Sequence, residues 1–135
     1  MKHLTSIRTL AAVLSCAAAL ASTAHAATPA ELLSGYSAQA SAAPQPPRGQ
    51  QFFTRLHGRE WSCSSCHGAV PTQAGKHAAT GKPIAALAPA INPERFADAA
   101  KTEKWFRRNC NDVVGRECTA AEKADLLGWL MTLKP

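Results

Sequence analysis

The stretch WSCSSCHG, residues 61–68, decides how the chain is read. Cys63 and Cys66 are separated by two residues and His67 follows at once, the C-x-x-C-H spacing of covalent c-type haem attachment. Two intervening residues let both thiols add to vinyl groups on one edge of the porphyrin, and the next residue brings an imidazole to the proximal face of the iron. The same cysteines could instead form a disulfide or a thioredoxin-like dithiol, but that pair belongs in a strand–helix–strand setting, which this sequence lacks. A zinc site needs two further ligands at similar spacing, and only His57 and His77 are at hand. One covalent haem c is therefore the expected cofactor, held by Cys63, Cys66 and His67.

Upstream of this motif, the first 26 residues read as a secretory leader. Lys2 and Arg8 give a basic start, Thr9 to Ala21 is apolar and alanine-rich, and Ala24-His25-Ala26 is a small-x-small cleavage site. The apolar stretch is shorter than the roughly 20 residues of a membrane span, and the later sequence offers no other candidate. Val13-Leu14-Ser15-Cys16 loosely resembles a lipoprotein cleavage box, yet the better cut site lies beyond it at Ala26. The expected location is the periplasm. Removing 26 of 135 residues leaves 109, one small domain whose apolar core alone would be modest. Cys16 departs with the leader, so Cys63, Cys66, Cys110 and Cys118 remain, an even number in an oxidising compartment. Thirteen basic residues then face nine acidic ones, a formal charge of +4. Without a dense Lys/Arg run this is weak evidence for nucleic acid, and it suits an acidic protein partner equally well.

The rest of the chain reads as all-α, with three or four helices. Thr28-Pro29-Ala30-Glu31 opens a helix to about Ala40, capped by Thr28, with proline early and an acid in the first turn. It reads as an N-terminal appendage, followed by an extended proline linker from Ala42 to Pro47; residues 27–46 form this unit and 47–135 the haem domain. Phe52, Phe53 and Leu56 sit at helical spacing within Gly49 to Leu56, the first core helix. From Gly68 to Pro93 no period of two appears, which predicts loop with short helical turns rather than strand. A helix from about Ala99 to Arg108 carries Trp105 and Phe106. Thr119-Ala120-Ala121-Glu122 is a capping box before Ala124, Leu127, Leu130 and Met131 on one face.

The sixth iron ligand is less direct. Met131 is the one methionine after the leader, and its place beside Leu127 and Leu130 suits packing. His57 precedes the motif by six residues and His77 follows His67 by ten, which makes His77 a cramped distal candidate. The lysines would need strong desolvation to lose their protons. Asn109 lies 42 residues after His67, at the end of the Trp105-Phe106 helix, where the bland reading is a cap or turn residue; Asn111 competes with it. Trp61 and Trp105 are candidates to pack against haem, with ordinary core packing as the alternative. Arg107 and Arg108 read as a solvated face, with propionate screening or docking as the other possibilities.

The exported helix, C-x-x-C-H and capped terminal helix resemble the small class I cytochromes c, in which Gly49 and Phe53 would cross the last helix near Leu127 and Leu130. More specifically, NPERFADAAKTEKWFRRNC, GRECTAAEKADLLGWL, WSCSSCHG and GKHAATGKPIAALAPA together resemble the SHP family of oxygen-binding cytochromes c over nearly all of residues 47–133. That resemblance implies a class I cytochrome c-like fold around one haem, a distal asparagine ligand at Asn109, and a disulfide between Cys110 and Cys118. It further implies that Asn109 binds in the oxidised state and leaves on reduction, when oxygen or nitric oxide takes its place, with a dihaem cytochrome c as electron donor. The chemistry is consistent, because a carboxamide oxygen is a hard donor that favours Fe(III) over Fe(II) relative to thioether sulfur. Any turnover of oxygen or nitric oxide would be an enzymatic extension of gas binding. The rival is a plain electron carrier with a permanent sixth ligand such as His77.

Overall fold

The computed structural model describes residues 26–58 and 60–135; the leader assigned to residues 1–26 lies, but for Ala26, outside the described residues. The described residues form five helices: α1 (Pro29–Ala40), α2 (Pro46–Thr54), α3 (Ser64–His67), α4 (Ala99–Val113) and α5 (Ala120–Thr132). None of them is long and apolar enough to cross a membrane. The Thr28 cap and the Thr119–Glu122 capping box read from the sequence both form, and Glu31 completes a second box at the start of α1. Thr28 accepts from the Glu31 N–H while the Glu31 carboxylate accepts from the Thr28 N–H, and Thr119 and Glu122 do the same for α5, so two orphan donors are satisfied at each start.

The fold is organised around α5, which packs against both α1 and α2. Ala124, Leu127 and Leu130 are buried as expected, but burial runs unbroken from Ala124 to Leu130, while Met131 is only half-buried. Two neighbouring helices take two sides of α5, so a single apolar face does not describe it. Helix α2 crosses α5 at Gly49, where a Cβ would lie 2.1 Å from the Asp125 carbonyl oxygen. The crossing thus falls at Asp125 and Leu126, ahead of the expected Leu127 and Leu130, and Phe53 packs further along against Trp129, with ring centroids 5.0 Å apart. The Asp125 side chain is 3% exposed and accepts from the Gln45 backbone N–H at 2.7 Å and from Arg48 Nε. A carboxylate from α5 thereby serves the start of α2, where Gln45 makes no side-chain cap of its own.

Four expectations need correction. The supposed linker ends early: Pro46 already belongs to α2, because proline at a first helical position has its φ preset and no N–H to leave unpaired. The supposed appendage α1 is core. Its Tyr36 is buried against Phe106, edge to face at 5.8 Å, and Leu33 lies over Gly128. The loop after the haem motif contains a short antiparallel ladder, β1 (Gly75–Lys76) with β2 (Pro83–Ile84), too brief to leave a period of two. Helix α4 continues past Arg108 to Val113, since Cys110 prolongs the buried stripe of Thr102 and Phe106; it stops where Gly115 takes a positive φ of 81° and donates back to the Cys110 carbonyl. Asn109 is therefore a helix-interior residue, not a cap or a turn.

A disulfide joins Cys110 to Cys118 with Cα atoms 5.7 Å apart, both residues buried. It fastens the end of α4 to the residue before the α5 cap.

Candidate haem site

The C-x-x-C-H residues form α3, a single turn organised by serine hydroxyls. Ser62 is buried; its Oγ lies 2.7 Å from Ser64 Oγ and 3.1 Å from Ser65 Oγ, and its N–H donates to Ser65 Oγ. The turn is then held from outside by the hairpin. A Cβ on Gly75 would lie 2.2 Å from the Cys66 carbonyl oxygen and 2.9 Å from His67 Cα, and the Ala78 N–H donates to Cys66 Sγ at 3.3 Å. Only glycine lets β1 approach this closely.

Cys63 and Cys66 are free thiols, both half-buried. Burial pushes the Cys63 thiol up to about 11, the reverse of the depressed value that activates a dithiol oxidoreductase. His67 stands 6.2 Å from the Phe53 ring and its pKa is lowered to about 4, first by burial and then by the positive charge of Arg95. The imidazole is therefore uncharged at neutral pH, the form that ligates a metal. Arg95 is in turn anchored on the Ala85 and Ala86 carbonyls. Neither Arg95 nor Gly75 was singled out by sequence reasoning; Gly75 is one of three glycines in an alanine-rich loop, with no local sign that sets it apart from Gly68 and Gly81.

Trp61 and Trp105 are not core residues. They are 37% and 41% exposed and, with Leu56 at 63% and Val70 at 53%, make up the large exposed apolar side chains among the described residues. Asn109 lies one turn beyond Trp105 on the same flank of α4, is exposed, and its side chain makes no hydrogen bond among the described residues. Asn111 sits about 200° further round and its Nδ2 donates to the Arg107 carbonyl at 2.8 Å. His57 is engaged as well, with Nε2 2.7 Å from the Phe52 carbonyl and its ring against Phe52. His77 is at the hairpin tip, where its Nδ1 accepts from the Thr80 N–H. Arg107 and Arg108 pair on the surface with Glu117 and Asp112.

A haem fits these residues: two thiols at the right spacing, an uncharged imidazole beside them, and exposed apolar rings that a flat macrocycle would cover. Fold and motif together define a small c-type cytochrome, a protein that carries covalent haem c. Residues 39–130 match the family model described as a domain of unknown function, DUF1924, and the chain belongs to that family. It is 51% identical over 107 residues to cytochrome c-type protein SHP of Cereibacter sphaeroides, covering 76% of this chain and 82% of that protein. It is 42% identical over 94 residues to cytochrome c'' of Methylophilus methylotrophus, covering 67% and 65%. Among solved structures, oxidised SHP, an oxygen-binding cytochrome c, superposes with a TM-score of 0.75 at 48% identity, over 80% of this chain and 99% of that one. The solution structure of cytochrome c'', a study of haem-ligand detachment, superposes with 0.70 at 36% identity, over 79% and 94%.

Proposed function

We propose that this chain is an exported monohaem cytochrome in which Cys63 and Cys66 form the thioether bonds, His67 is the proximal ligand and Asn109 the distal ligand of the oxidised state. On reduction Asn109 releases its position to a diatomic ligand, oxygen or nitric oxide, and the electron arrives from a partner protein such as a dihaem cytochrome c. The haem, when bound, supplies an iron that changes oxidation state and accepts a sixth ligand. What the chain supplies is selective occupancy of that sixth position. The Asn109 carboxamide oxygen is a hard, weak donor whose hold slackens when the iron becomes softer. Once released, the same amide carries two N–H donors that can hydrogen-bond a polar diatomic guest. Trp105, one turn back on the same flank, shields that guest from water.

The observation that carries this reading is the pair of asparagines on α4. The Asn109 amide is exposed and uncommitted beside Trp105, whereas the Asn111 amide is spent on its own helix. His77 supports the rival poorly, because its hairpin packs on α3, the element bearing His67. Relatives that bind oxygen or are studied for ligand detachment agree with a releasable ligand. The test is the oxidised absorption spectrum of Asn109→Ala beside Asn111→Ala. We expect the first to become five-coordinate and high-spin and the second to match the parent; an unchanged Asn109→Ala spectrum hands the ligand role to another side chain. Rapid carbon monoxide uptake by the reduced parent checks that the position opens.

A further inference from the structure

Phe96 holds a backbone conformation that its side chain disfavours. Its φ is 61°, and the other non-glycine residue with a positive φ among the described residues is Ser41, at 50°, where the end of α1 uses that turn as its cap. In the left-handed region a Cβ crowds the following carbonyl oxygen, so glycine or asparagine normally fills such a position. Local structure therefore does not select phenylalanine here; a distant contact does. The Phe96 ring is half-buried against the core and lies 6.3 Å from the ring of Phe106, which Tyr36 meets edge to face at 5.8 Å. Phe106 on α4 thus carries one ring from α1 and another from the strap that leads into α4.

That strap is fastened on both sides of Phe96. Upstream, the Arg95 N–H donates to the Asn92 carbonyl, and the Arg95 guanidinium donates to the Ala85 and Ala86 carbonyls just beyond β2. Downstream, Asp98 caps α4 by accepting from the Lys101 N–H. Helices α1 and α2 both pack closely on α5, whereas α4 is not among the closely packed pairs and is joined to the rest through the side chains of Glu103, Phe106 and Cys110. Asn109 comes three residues after Phe106, which makes the two neighbours on the helix surface. Whatever seats Phe106 therefore sets the direction in which Asn109 is presented.

We propose that Phe96 is a positioning residue for the distal ligand: by seating α4 at Phe106 it holds Asn109 where its carboxamide can occupy the sixth position. The proposal rests on Asn109 being that ligand. A carboxamide oxygen is a weak donor to iron and cannot draw a misplaced helix towards itself, so its occupancy is decided by how closely the scaffold sets it beforehand. Loss of the ring at residue 96 would leave the fold standing and the ligand loose.

The test is the association rate of azide with the oxidised holo-protein, because azide enters only when the side chain in the sixth position vacates it. Phe96→Gly removes the ring and leaves a residue at ease in this backbone, so strain is relieved where packing is lost. We expect azide to bind about fivefold faster to Phe96→Gly than to the parent, since the open fraction rises as the ligand loosens. Asn109→Ala should accelerate binding at least as much, and adding Phe96→Gly to it should change the rate by less than about twofold. Gly49→Ala, which disturbs the α2–α5 crossing, is the control for stability alone: it should lower the urea midpoint and leave the azide rate within about twofold of the parent. Should Phe96→Gly yield no holo-protein, Phe96→Leu carries the test at about threefold. An Asn109→Ala protein that binds azide no faster than the parent removes the ligand reading and the proposal with it. If Asn109→Ala accelerates binding while Phe96→Gly does no more than Gly49→Ala, or if the Phe96→Gly effect persists in full without Asn109, the ligand reading stands and the role of Phe96 is overturned.

Discussion

The Tyr36 hydroxyl donates to Glu103 Oε1 at 2.6 Å, a bond between residues 67 apart in sequence that ties α1 to α4. Glu103 is also reached by Lys123 Nζ at 2.7 Å, and the same ammonium lies 5.4 Å from the Tyr36 ring centre and 5.7 Å from that of Phe106. Three helices thus meet at one carboxylate. Tyr36→Phe keeps the edge-to-face contact with Phe106 and removes only the hydroxyl. Because the Glu103 side chain is 41% exposed, the loss should be about 1 kcal/mol rather than the full value of a charged hydrogen bond. Urea unfolding of the holo-protein measures it. A midpoint equal to that of the parent would mean that α1 is not fastened through this contact.

The α5 cap predicts an acid limb in stability. The hydrogen bond from Arg116 holds the Glu122 carboxyl below its ordinary 4.5, and the Thr119 N–H assists. For Glu103, burial raises the carboxyl, but hydrogen bonds from Lys123 and Tyr36 outweigh it and the net shift is downward. In both cases the unfolded chain binds the proton more readily. Their stabilisation is therefore complete above the unfolded value and drains away as pH falls through the lower folded values. Urea midpoints between pH 6 and pH 3 should drop for the parent and drop less for Glu122→Gln, which starts lower at pH 6. Parallel curves would remove Glu122 from the account.

At the α2–α5 crossing the tolerance is smaller than a methyl group. Gly49→Ala would place a carbon 2.1 Å from the Asp125 carbonyl oxygen and 2.8 Å from the Leu126 nitrogen. Both obstacles are backbone, so the helices must separate, and a loss of about 2–3 kcal/mol follows. Gly35→Ala is the control. Its Cβ would meet nothing within 4 Å, and at an interior helical position alanine should raise the melting temperature slightly.

Replacing both Cys110 and Cys118 by serine opens a nine-residue loop. Chain-entropy reasoning gives a loss of about 2.5 kcal/mol. The comparison is made on oxidised holo-protein by thermal melting, with covalent haem content checked separately. Full retention of stability would indicate that packing of Phe106 and Val114 alone fixes this corner.

The parts legible in the sequence were those with local chemistry. C-x-x-C-H needs only spacing, the Thr28 cap only its own first turn, and the Thr119–Glu122 box only four residues. The supposed linker misled because Pro46 and Pro47 start a helix as readily as they break one, and the backbone that decides between these receives its cap from Asp125, eighty residues away from Gln45. Helix α1 looked detachable for a similar reason. Its polar partner Glu103 and its apolar partner Gly128 are distant in sequence, and its apolar side chains are few. The extension of α4 through Asn109 was hidden by polar residues, since Arg107, Arg108, Asn111 and Asp112 all face water. The choice between Asn109 and Asn111 became physical only when the helix placed them on opposite sides.

The Cys110–Cys118 tie also limits how Asn109 can move. Its backbone lies within the hydrogen-bonded ladder of α4, and the next residue is bolted covalently to the threshold of α5. Unwinding this turn is a slow route, so on the proposed reading Asn109 would leave the iron by swivelling about its own side-chain bonds, a motion of picoseconds to nanoseconds for an exposed residue. Such a shutter adds no delay of its own. The tempo of gas capture would then be set by the arrival of electrons rather than by rearrangement of the polypeptide.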